Sequence, residues 1–169
     1  MSKLLKQVRI LTILFMIALL LSGIPVFPLQ SELKLLINTN VFADGSVIKQ
    51  WLVKVVTALQ ITQKQYPFLF YGFDWLAFAH IVIAILFIGV YQHPVRNRWI
   101  IQWAMISCVC IFPLAFIAGS IRGIPFFHML IDCSFGAAGL IILYLIQLRI
   151  NKLKKYRVSS RSSQNNDKD

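Results

Sequence analysis

The sequence predicts an all-α protein: an integral membrane helical bundle of four transmembrane helices, N-in and C-in, with one outer amphipathic interfacial helix. Three observations carry this. The chain of 169 residues is 58% hydrophobic with a mean hydropathy of +0.72, whereas ordinary soluble domains are roughly 45–50% apolar even with glycine counted. Its apolar residues gather into four runs, each near the ~20 residues needed to cross about 30 Å of hydrocarbon as a helix. Most of its 17 Lys and Arg residues cluster at the ends of those runs and favour alternate connections.

The first run, Ile10 to Leu29, predicts a helix over about 8–29. Three basic residues ahead of an apolar stretch also describe a secretory signal peptide. The run is longer than a usual signal core and no A-x-A-like site follows it, so a retained helix is expected; cleavage would leave three helices in the same orientation. The second run, Trp75 to Tyr91, is broken only by His80 and predicts a helix over 74–92. The third, Trp99 to Ile121, predicts 98–120, and the fourth, Ile124 to Leu148 with His128 and Asp132 inside it, predicts 125–149. Without water in the hydrocarbon layer, backbone groups must pair within the segment, which selects helix.

Orientation follows from the preference of Lys and Arg for cytoplasmic connections. Lys3, Lys6 and Arg9 precede the first run, Arg96 and Arg98 follow the second, and Arg149, Lys152, Lys154, Lys155, Arg157, Arg161 and Lys168 follow the fourth. The opposite side has Lys34, Lys49, Lys54 and Lys64 spread over a long connection, and Arg122. Residues 1–150 therefore read as a single transmembrane domain, most simply in a bacterial inner (plasma) membrane. Residues 151–169 read as a basic, Ser-rich cytoplasmic tail, disordered and drawn to anionic lipid headgroups.

Between the first two runs, the turn signal Asp44-Gly45-Ser46 is followed by Ile48, Trp51, Leu52, Val55, Val56 and Leu59 at helical spacing. This predicts an extracytoplasmic amphipathic helix over about 46–63 whose apolar face lies in the outer interface or on the external rim of the bundle. The aromatic stretch from Tyr66 to Trp75 suits headgroup depth, as an anchor for the second helix or as a surface for lipid or partner.

Ionisable residues within a span are costly and call for a partner or a purpose. In the expected orientation, Asp132 lies about 10 Å below the outer end of its helix and His80 about 9 Å below the outer end of the second, at ~1.5 Å per residue. His128 is one turn above Asp132 on the same face, and Arg122 stands in the short connection above both. Asp74, His80, Arg122, His128 and Asp132 are accordingly the candidate polar cluster, in the outer leaflet. Plainer roles compete: an N-cap for Asp74, an interface anchor for Arg122, and a register-setting hydrogen bond between His80 and Asp132. Small residues near these positions, Ala77 and Ala84 on the second helix, Gly136 and Gly139 on the fourth, and Ala104, Ser107, Cys108, Ala115 and Gly119 on the third, allow close helix approach.

No cofactor or metal is expected. Cys108-Val109-Cys110 is not C-x-x-C and its thiols diverge by about 200° around a helix, while Cys133 faces away from Asp132. His80 and His128 differ in expected depth by about one turn, which disfavours bis-histidine haem, and His93 lies in the cytoplasmic turn. No Gly-rich phosphate loop, H-E-x-x-H or G-x-S-x-G is present. The net charge of +11 sits at span ends instead of beside base-reading residues, so nucleic acid is not an expected partner. The expected partners are the lipid bilayer and a membrane protein or a second copy of the chain. The sequence favours a non-enzymatic accessory, assembly or interaction protein; an oligomeric transporter, channel or proton-linked carrier using the His/Asp cluster is the alternative, and a membrane-embedded redox or lipid-modifying enzyme a second one.

Overall fold

A computed structural model of the chain describes residues 2–39 and 41–166. The described residues form α1 (Ser2–Gly23), α2 (Leu29–Asn38), α3 (Val47–Gln65), α4 (Tyr71–Gln92), α5 (Arg98–Ile121) and α6 (Phe126–Asn166), with single 3-10 turns at Ile24–Val26 and Pro67–Phe70. Four segments are long and apolar enough to cross a membrane: Lys3–Val26, Pro67–Gln92, Arg98–Ile121 and Phe126–Tyr156. The helices divide into two compact units, one holding the chain up to Ile17 and from Ile85 onward, the other Ala18–Ala84.

In the first unit, Gln7 of α1 accepts from Arg149 of α6 at 3.2 Å. The ring of Phe15 lies 3.5 Å from where a Gly139 Cβ would stand, so α1 and α6 run antiparallel. Phe15 also packs on Phe87 of α4, with ring centroids 4.7 Å apart. The fully buried residues Val8, Thr12, Phe87, Val90, Ile101, Leu143 and Ile146 form the core of this unit. Thr12 satisfies its hydroxyl by donating to the Val8 carbonyl at 2.9 Å, as a hydroxyl shielded from water must. Asn97 closes the α4–α5 turn by donating to the Gly89 carbonyl at 2.6 Å.

Two glycines set the α5–α6 spacing. A Cβ on Gly136 would meet the Cys108 carbonyl oxygen at 3.0 Å and Ile111 Cβ at 3.3 Å, and one on Gly139 would meet Cys108 Sγ at 3.1 Å. Close approach of this kind replaces the hydrophobic drive that helices lack when both sides are apolar. Pro113 sits inside α5, at a position exposed on the helix surface, and removes the N–H that would otherwise bond the Val109 carbonyl.

α6 continues to Asn166, past the expected end at 149 and through the region read as a disordered tail from 151. Ile150 and Leu153 are buried, at 1% and 3% exposure, and hold the turns just past residue 149 against the unit. Residues 167–169 lie outside the described residues.

In the second unit, α1 ends at Gly23, earlier than the apolar run does, because Pro25 enters as a 3-10 turn and biases Ile24 away from α-helix. The chain then forms α2, where the sequence predicts only a connection. Its Leu29, Leu33, Leu36 and Ile37 recur at helical spacing, with Glu32 in the first turn, where a carboxylate is favoured by the helix dipole. α2 packs against α3, burying Val56 and half-burying Trp51, Leu52, Val55 and Leu59. Much of the predicted apolar face of α3 is thus directed within the unit. Ile48, expected on that face, is exposed.

The start of α3 follows from the turn residues. Gly45 adopts φ +80°, the Ser46 side chain accepts from the Lys49 amide at 3.3 Å, and the Lys49 ammonium pairs with Asp44. That hydrogen bond, with the charge of Lys49 behind it, holds the Asp44 carboxyl below its ordinary value of 3.8.

Candidate functional site

The α5–α6 connection is built by a specific C-cap. Arg122 ends α5, Gly123 takes φ +65°, Ile124 N–H donates to the Gly119 carbonyl at 2.9 Å and Gly123 N–H to the Ser120 carbonyl at 3.3 Å. These are the two bonds of a Schellman motif, in which a residue other than glycine would be strained at the left-handed position. Pro125 follows, and α6 begins at once, its first amides at His128 and Met129 both reaching the Pro125 carbonyl. The tight reversal lays the first turns of α6 beside the last turns of α5.

Between them opens a groove of about 290 Å³, walled by Ile111, Leu114, Ala115, Ala118 and Gly119 of α5 and by Ile124 and Met129, with Arg122, His128 and Asp132 contributing the ionisable groups. His128 and Asp132, four residues apart, share the groove face of α6. Both are half-buried and Arg122 is exposed. Among the described residues, Arg122 and Asp132 form no ion pair. Met129, 7% exposed, folds its thioether over Gly119, where an added Cβ would come within 2.8 Å of the Met129 Cγ. Sequence reasoning omitted Met129, and nothing in its local pattern separates it from an ordinary core methionine.

Asp74 and His80 belong to the second unit. The helix containing them starts at Tyr71, not at 74, because the Pro67–Phe70 turn leads directly into it. Asp74 is therefore in the first turn of α4, favoured there by the dipole, and is not the N-cap expected from the sequence. His80 is half-buried. Its Nδ1 stands 2.8 Å from the Leu76 carbonyl, a contact that requires the proton on Nδ1 and leaves Nε2 of the neutral ring as an acceptor. The side chain packs where Gly23 leaves room: a Cβ there would overlap His80 Cβ and lie 2.9 Å from its Cγ. The sequence carried no sign of this pairing, since the two residues are far apart along the chain.

Among the described residues, no group of three or more His, Cys, Asp or Glu is placed to hold a metal ion. All three cysteines are free thiols: Cys108 and Cys133 are buried and Cys110 is exposed. Cys108 points toward Gly139 of α6.

No family model, curated protein or solved structure matches this chain.

Proposed function

We propose that this chain is a small multi-pass protein of a bacterial inner membrane, N-in and C-in, which works through contacts with a partner and not through catalysis, as an accessory or assembly subunit. One observation carries the reading. The four candidate spans bury only between 17% and 28% of their most apolar windows within the chain, so most of their side chains await lipid or other helices. On α5 this exposed surface includes Trp103, Ile106, Leu114, Ile117 and Ile121, recurring at the spacing by which one helix meets another. The α2–α3 pair and the aromatic first turns of α4, with Tyr71, Trp75 and Phe78 stacked edge to face, supply the part that lies at the outer interface. The test is co-purification from native membranes after crosslinking in vivo. A defined stoichiometric partner is expected; an isolated monomer with no crosslinked protein overturns the reading.

The groove at Arg122, His128 and Asp132 favours a second reading, an oligomeric transporter or proton-linked carrier that depends on Asp132 and, in the second unit, on His80. Liposome flux that disappears in His80→Ala and Asp132→Asn would support it. Flux unchanged in both would remove it.

A further inference from the structure

The strongest uncompensated charge in the first unit lies at the end opposite the groove. Gln7 and Arg149 meet there at 3.2 Å. Because α1 and α6 are antiparallel, one turn beyond that pair brings Lys3 of α1 level with Lys152 of α6, with Lys6 beside them; all three lysines are exposed. Two arginines at this end are oriented by neutral amides, and Arg9 by the Tyr91 carbonyl and ring. Gln7 accepts from Arg149, and Gln147, with its amide oxygen turned toward Arg98, accepts from the guanidinium Nη2 at 2.7 Å and Nε at 2.5 Å. Among the described residues of this unit the sole carboxylate side chain is Asp132. It lies about 26 Å along α6 from Arg149 at ~1.5 Å per residue, well beyond a Debye length of about 8 Å. Asp167 and Asp169 lie outside the described residues. No described carboxylate of this unit is near enough to offset these cations, which leaves them open to an anion from outside.

We infer that this end of the unit is a folded binding site for an anionic phospholipid headgroup, held by Lys3, Lys6, Arg149 and Lys152 on the ends of α1 and α6. The clustered cations call for an anion, and the adjoining apolar helix surfaces, with Leu148 and Ile10 exposed, suit a phosphodiester that carries the acyl chains of a lipid better than a free ion. Arg149 is held ready for this role, since its Nη1 donates to the Leu145 carbonyl at 3.1 Å while Nε is on Gln7. The site differs from diffuse attraction of the basic tail because its cations stand on two packed helices. The inference rests on the membrane reading above.

Full-length protein in mild detergent, titrated with phosphatidylglycerol, phosphatidylcholine or inorganic phosphate and read by native mass spectrometry, tests it. Phosphatidylglycerol is expected to bind in preference to phosphatidylcholine. A K3Q/K6Q/K152Q variant should weaken phosphatidylglycerol binding by about fivefold for each lysine, on the order of a hundredfold in all. An R157Q/R161Q/K168Q variant should stay within about twofold of the wild type. If the triple variant fails to fold, the K3Q and K152Q singles carry the same test at about fivefold each. Equal binding of the two lipids, loss that follows the tail variant, or displacement of the lipid by equimolar phosphate overturns the inference. Release of the chain from native membranes by alkaline carbonate overturns the membrane reading instead; retention without lipid preference overturns this inference alone.

Discussion

Replacing Gly23 by alanine tests how α1 meets α4 within the second unit. The new Cβ would overlap His80 Cβ and stand 2.9 Å from its Cγ and 3.4 Å from the Ala77 carbonyl oxygen, where ordinary contact begins at 3.4 Å. His80 Cβ is one bond from the backbone and its ring is tied to the Leu76 carbonyl, so rotating the side chain gives little relief. The two helices must part by about an ångström, a gap that forfeits a quarter to a half of each contact's attraction. Overpacking of this kind costs about 1–3 kcal/mol, and alanine returns at most about 1 kcal/mol of helix propensity. A net loss of about 1–2 kcal/mol corresponds to a fall in Tm of about 2–8 °C for a chain of this size. Gly72→Ala is the control, because a Cβ there meets nothing within 4 Å; it should gain about 0.4–1 kcal/mol. Intrinsic tryptophan fluorescence during heating in detergent reads both, with intact mass measured on the same sample. A Gly23→Ala Tm at or above the wild-type value, alongside a normal Gly72→Ala, refutes the packing.

Three further outcomes are expected. An apolar maleimide should label Cys110 well ahead of Cys108 and Cys133, which are 8% and 7% exposed, so Cys110→Ala should remove most of the early label; mass spectrometry of the peptides checks it. Asn97→Ala deletes the hydrogen bond to the Gly89 carbonyl and should cost about 1 kcal/mol, read as lower thermal stability. The folded-state pKa of Asp44 is depressed, so its ion pair with Lys49 favours the folded α3 start above the usual carboxylate range, and that contribution is lost as pH falls through the lowered value; NMR titration of the Asp44 carboxyl should show a midpoint below 3.8.

The long helices were legible because their signal is additive over many residues. Twenty apolar side chains between basic flanks outweigh any local ambiguity, and α4 and α5 begin and end within a few residues of the expected bounds. The start of α3 was legible for a different reason, since Gly45 and Ser46 encode a positive φ and a cap directly. α2 was missed because its ten residues follow two prolines and continue an apolar run, so its period was absorbed into the span before it. The helical course of α6 beyond 149 depends on Ile150 and Leu153 finding neighbours, which composition does not reveal. In the candidate site, the i, i+4 spacing of His128 and Asp132 and the short Arg122–Pro125 connection were readable, and those three side chains do line one groove. The seat of His80 against Gly23 was not readable, because it depends on which helix packs against which.

α6 has a mechanical consequence. Its 41 residues make a rod of about 60 Å at ~1.5 Å per residue, roughly twice the thickness of the oily slab. A shaft of that length without a proline is longer than one crossing of such a slab takes up, and as a continuous helix it is stiff from end to end.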